Sequence, residues 1–219
     1  MPSRTLNRIL WAIALLLIVV FGFQARDQFD AMFIGVGRLD VRAAADDDTV
    51  YLQWRGKIEA PMLSEIDHAF AMHQSRARRI VLSLSSPGGS LDHGAKVVRL
   101  LRRIGETHKL ETVVAAGSRC ASMCVPVYLQ GQRRSAAPSA KFMFHEVSFR
   151  DVLAEEDASV PERAIGSATD RLFSIYFAPA GVPEDWIRGV RAAMAGGNDI
   201  WKTGQELIDE NAGIVQLSQ

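Results

Sequence analysis

An α/β domain is what this sequence predicts, on three observations. Segments rich in strand formers alternate with segments whose apolar residues recur at helical spacing. Gly, Pro and Ser/Thr cap signals stand at the junctions between them. The composition, 48% apolar and 23% charged over 219 residues, is that of a chain able to bury a core. The length holds one ordinary domain with an appendage, not two full domains.

The domain is expected over 49–219, opening with the strand formers of 49–54 (TVYLQW). Pro61 stands where a first helical turn would start, and Met62, Ile66, Ala69, Phe70 and His73 follow at helical spacing. Residues 79–84 (RIVLSL) predict a strand that breaks at Ser85-Ser86-Pro87-Gly88-Gly89. Ser90 is placed to cap a helix carrying Leu91, Ala95, Val98 and Leu101. Another strand is predicted over 110–116 (LETVVAA), then a turn over 117–120 and a short helix from about Ser122. Residues 141–145 (KFMFH) predict a further strand. Ser159-x-x-Glu162 opens a helix reaching about Phe177, and another covers 184–195. Thr203-x-x-Glu206 fits a capping box for the last helix, with Gly213 closing it. Strands separated by helices imply mainly parallel pairing.

Ahead of this domain, residues 9–23 (ILWAIALLLIVVFGF) carry no charge and follow Arg4 and Arg8. A basic flank before an apolar core is the pattern of a secretory signal. At about 1.5 Å per residue the run is shorter than the ~30 Å hydrocarbon core, which favours cleavage. The small-x-small cleavage site is poor, however, so residues 1–25 read as an uncleaved signal anchor, with a cleaved signal peptide as the alternative. Positive charge before the segment keeps the N-terminus in the cytoplasm. The domain is then expected on the periplasmic side of the inner membrane, or free in the periplasm after cleavage. Residues 26–48, with Gly35, Gly37 and an acidic run from Asp46 to Asp48, read as a linker.

Charge and cysteine content exclude several classes. Lys and Arg number 25, as do Asp and Glu, so nothing at chain level argues for nucleic-acid binding. Two cysteines are too few for a disulfide scaffold or a four-cysteine zinc site. His68, His73, His93 and His108 show no metal-ligand spacing, and no metal or cofactor is expected. Ser-Pro-Gly-Gly could cradle a phosphate, but no P-loop Lys-Ser/Thr follows it.

A nucleophilic hydrolase needs a hydroxyl or thiol, a base, a group that orients the base, and N–H donors for an oxyanion. Ser122 lies at a predicted strand-to-helix turn, where the helix dipole would favour developing negative charge. His145 ends the next predicted strand, and Asp199 sits in a loop before the last helix. Gly88 and Gly89 allow backbone to approach a substrate closely. By spacing alone this set is weak.

The order of motifs adds to it. LSSPGGSLDHGAKVV (83–98), GSRCASMCVPVYLQG (117–131), SAKFMFHE (139–146) and NDIWKTGQELIDENAGIV (198–215) together resemble the Clp protease proteolytic subunit and its relatives in the Clp-protease/crotonase superfamily. The resemblance implies a spiral of ββα units and assembly into homo-oligomeric rings or stacked trimers. It also implies hydrolysis of peptide bonds without metal or cofactor. Ser122 matches the nucleophile, His145 the base and Asp199 the orienting acid; the N–H groups of Gly88 and Met123 match the oxyanion hole. The expected protein is thus an extracytoplasmic serine peptidase acting on peptides or proteins. Two alternatives share the fold: a non-catalytic binding or scaffold module, and a crotonase-like acyl-thioester enzyme, which the expected address disfavours because coenzyme A is cytoplasmic.

Cys120 and Cys124 flank Ser122 symmetrically, where the family carries small residues. On a regular helix their Cβ atoms would stand about 6 Å apart, against 3.5–4.5 Å in a disulfide. If the helix starts between them, a bridge is feasible. Otherwise they are two small residues packed beneath the site.

Overall fold

The computed structural model describes residues 37–45, 48–147 and 162–216, all within the compact unit Gly37–Gln219. The expected N-terminal apolar helix lies outside the described residues, as does Ser159. Among the described residues, eight strands form two sheets. The larger uses β1 (Arg38–Ala43), β2 (Thr49–Arg55), β3 (Arg79–Ser85), β4 (Lys109–Val114) and β6 (Arg133–Ala136), in the order β1-β2-β3-β4-β6. The smaller has the order β5 (Arg119–Ala121), β7 (Lys141–Phe144), β8 (Ile200–Thr203). Strands β2, β3, β4 and β6 run parallel, as do β5 and β7; β1 and β8 are antiparallel to their neighbours.

The helices among the described residues are α1 (Met62–His73), α2 (Leu91–Thr107), α3 (Cys124–Tyr128), α4 (Glu162–Leu172), α5 (Glu184–Met194) and α6 (Gly204–Asp209). Helix α4 continues as a π-turn over Phe173–Phe177. Parallel strands require crossovers, and α1 and α2 supply those from β2 to β3 and from β3 to β4. Ser90 caps α2 by accepting the His93 N–H at 3.3 Å. Thr203 and Glu206 make the reciprocal capping box that opens α6. That helix ends at Asp209, earlier than Gly213, because Asn211 already turns left-handed at φ 50°.

Alternation places Val50, Leu52 and Trp54 of β2 level with Ile80, Leu82 and Leu84 of β3, and all six are buried. Met62 and Ile66 of α1 and Val97, Leu101 and Ile104 of α2 belong to the same core. Burying each such side chain stabilises the fold by about 1.5–3 kcal/mol.

The linker expected over 26–48 is corrected in its second half. Residues 38–43 form β1 and pair with β2 from Arg38↔Arg55 to Ala43↔Val50. Only Leu39 and Val41 alternate with charges there, and the strand lies at a half-exposed edge, so its apolar signal is faint.

Arg134 is the unusual core residue, 6% exposed. Its guanidinium donates to four carbonyls, those of Gly131, Ala180, Gly213 and Ile214, at 2.9–3.3 Å. No carboxylate pairs with it among the described residues. Burial lowers its pKa from the usual guanidinium range. Each carbonyl left unpaired would cost about 1–3 kcal/mol, so this one side chain fastens the 180–181 turn and the 213–214 segment onto β6.

Candidate active site

The Ser-Pro-Gly-Gly segment extends β3 past the edge of the large sheet and joins it to the small one. The Ser86 N–H donates to Arg119 O at 2.8 Å, and the Ala121 N–H donates to Ser86 O at 3.0 Å. This bridge sets Gly88 directly against Ser122. Gly88 has φ 100°, and a Cβ there would come within 2.7 Å of Ser122 Cβ and 2.9 Å of Ala121 O. No other residue fits both the dihedral and the space.

Ser122 itself has φ 53°, a conformation that costs an L-residue of order 1–3 kcal/mol. Three contacts over-determine it. Its N–H donates to Met143 O at 2.9 Å, and its carbonyl accepts the Val125 N–H at 2.9 Å. A disulfide joins Cys120, in β5, to Cys124, the first residue of α3, with Cα atoms 5.2 Å apart. The helix does start between the two cysteines, which is the condition the bridge requires. Met123 is the cap residue of α3, so its N–H lies outside the helical ladder.

Strand register brings in the histidine. Ala121 pairs with Met143, so Ser122 and His145 emerge at the same ends of adjacent parallel strands. His145 Nε2 lies 2.7 Å from Ser122 Oγ. With its proton on Nδ1, the ring accepts from the hydroxyl at Nε2, and the pair can generate a nucleophile.

Asp199 is close in register but forms no such contact. Phe144 pairs with Ile200 across the antiparallel β7–β8 ladder, so one step further Asp199 stands opposite His145. Its side chain is exposed and makes no hydrogen bond among the described residues. Glu146 holds the preceding turn instead, its Oε2 accepting the Gly197 N–H at 3.2 Å. Of the two expected oxyanion donors, the Gly88 N–H is engaged with Ser86 Oγ at 3.1 Å.

A cavity of about 400 Å³ opens beside the pair. Val125, Met143, Leu172, Phe173 and Phe177 give it apolar walls, and the Phe173 and Phe177 rings stack at 4.2 Å. It suits an apolar side chain next to a reacting carbonyl. Ser86, Glu146 and these phenylalanines belong to the site although no motif assigns them a role. The first two lie inside the quoted motifs, and Phe173 and Phe177 share a face at a four-residue spacing. No group of three metal-ligating side chains gathers among the described residues.

The bridge predicts a local effect. A loop so short gains less than the ~3 kcal/mol of a 15-residue loop. A shift of ~1 Å at a nucleophile can cost about 100-fold in rate. Replacing Cys120 and Cys124 together by alanine is therefore expected to lower peptide turnover at least tenfold while moving the melting temperature by only a few degrees. Rates and melts of the double variant check this; unchanged turnover would leave the pair a packing element only.

The Clp protease family matches residues 53–210, a span that contains Gly88, Ser122, His145 and Asp199. Among solved structures, a point mutant of ClpP1 from Listeria monocytogenes is similar, with a TM-score of 0.57 and 19% identity. The match covers 78% of this chain and 90% of that one, and at this identity the likeness is one of fold. No curated protein matches the chain.

Proposed function

Since the chain belongs to the Clp protease family, we propose that it is a serine peptidase in which Ser122 attacks the peptide carbonyl. The observation that carries this reading is the 2.7 Å contact between Ser122 Oγ and His145 Nε2 at a strained, braced turn beside an apolar cavity. In the first step Oγ bonds to the carbonyl carbon and its proton passes to Nε2. The oxyanion takes the Met123 N–H and that of Gly88, which must leave or share its contact with Ser86 Oγ. His145 then returns the proton to the leaving amine, and water releases the acyl group by the same route. Asp199 is assigned as the group that orients His145, closing onto Nδ1 from its place across the ladder.

Family membership supports a homo-oligomer acting on peptides or proteins, with no cofactor. An inner-membrane anchor with the domain in the periplasm is part of the proposal. It is supported by the charge-free run 9–23 behind Arg4 and Arg8, and by a disulfide of the kind that persists in oxidising compartments. Among the described residues no helix is long and apolar enough to cross a membrane, so the anchor rests on residues 1–25.

One experiment tests both parts. Intact cells carrying the protein are treated with a membrane-impermeant fluorophosphonate, and the labelled peptide is mapped. The expected adduct is on Ser122 without lysis. An adduct only after lysis would refute the location, and none in folded, assembled protein would leave a binding module.

A further inference from the structure

The outer face of the small sheet carries a second recess. Its rows follow from register: Arg119, Lys141 and Thr203 stand level across β5, β7 and β8, and Ala121, Met143 and Trp201 form the next row. Phe142 and Phe144 point into the core, so Lys141, Met143 and His145 share the opposite face. Met143 lines the cavity beside Ser122, which makes this the face of the nucleophile. Arg119, Lys141, Trp201, Lys202, Thr203 and Glu206 surround a recess of about 440 Å³ at its far end.

The charges here are unbalanced. Arg119 and Lys141 lie directly opposite each other on neighbouring strands, an arrangement that destabilises a sheet. Neither has a carboxylate partner among the described residues. The acid in the recess is already committed: Glu206 accepts the Thr203 N–H at 2.6 Å and the Thr203 hydroxyl at 2.8 Å, which hold its pKa low. Lys202 is paired with Glu210 at 2.5 Å. Trp201, 48% exposed, adds an open aromatic platform beside Arg119 and Lys141, two cations that are unpaired among the described residues.

Resting on the peptidase reading above, we propose that Arg119, Lys141 and Trp201 form a subsite for a carboxylate of the peptide substrate. Four strand positions separate Lys141 from His145, about 13 Å at ~3.3 Å per residue, or four residues of an extended peptide. The preferred substrate then carries an acidic side chain, or its own C-terminal carboxylate, about four residues from the bond that is cut.

The test uses binding, so that it does not depend on turnover. Fluorescent peptides with Asp or Glu at increasing distance from an apolar residue, and their Asn or Gln twins, are titrated onto assembled Ser122→Ala protein. Each is made with a free and with an amidated C-terminus. The peptide that carries the recognised carboxylate is expected to bind about five to ten times more tightly than the same peptide with that group as an amide, as two partly exposed ion pairs allow. The preference should shrink at high salt and vanish in protein that also carries Arg119→Gln and Lys141→Gln, whose folding is checked by melting. Tighter binding of the free than of the amidated C-terminus, with acid and amide twins equal, would assign the terminal carboxylate; a difference between the twins that survives amidation would assign the side chain. Binding that depends on neither carboxylate, or a preference that outlasts the double substitution, overturns the subsite. A preference in binding, with wild-type protein neither labelled at Ser122 nor cleaving any peptide, would instead retain the subsite and remove the peptidase.

Discussion

Ser122→Ala protein is expected to take up no fluorophosphonate and to lose peptide cleavage by on the order of 10⁶-fold, as when a nucleophile is removed from a catalytic unit. The substitution deletes one oxygen and keeps the Cβ that packs on Gly88. Alanine meets the same left-handed strain at φ 53°, and the disulfide and the bond to Met143 O are backbone or neighbouring features that it does not touch. Melting temperature should therefore stay within a few degrees of wild type. A folded variant that kept even a hundredth of the wild-type rate would sink the nucleophile assignment.

His145→Gln should cost at least about 100-fold, the lower end of what a general base contributes. Glutamine approximates the reach of the ring and can still hydrogen-bond Ser122 Oγ, but it cannot take the proton. Steady-state rates of the two folded proteins check this; a loss of less than about tenfold would argue against a base role for His145.

What could be read from the residues was uneven, for physical reasons. Strands 49–54, 79–84 and 141–145 were legible because each is a run of strand formers with buried alternate positions. Strands β5 (RCA), β6 (RRSA) and β8 (IWKT) have three or four residues, and no period shows in so short a stretch. Yet β5 and β8 set the site. One aligns Ser122 with His145, and the other carries Asp199 to its opposite number. Ser122 and His145 were named from motif order, whereas their 2.7 Å contact depends on a register that pattern alone does not give. Asp199 was named on the same basis and stands exposed without a hydrogen bond among the described residues. The cysteine pair was legible as two alternatives, decided by where α3 begins.

Arg134 has a consequence for the order in which the chain becomes a domain. Its acceptors at Ala180, Gly213 and Ile214 lie 46, 79 and 80 residues further along. At ~5–20 residues per second, a ribosome needs roughly 4–16 s to supply them after Arg134 has been made. Over that interval the guanidinium has no dry place to go and must keep its water, which holds β6 away from its final seat. Ser122 and His145, the proposed nucleophile and base, are both made early, within the first 145 residues, but the scaffold that fixes them closes only when nearly all of the described chain is present. A nascent peptidase of this design stays unfinished for the whole time in which its own unfolded length is the nearest available substrate.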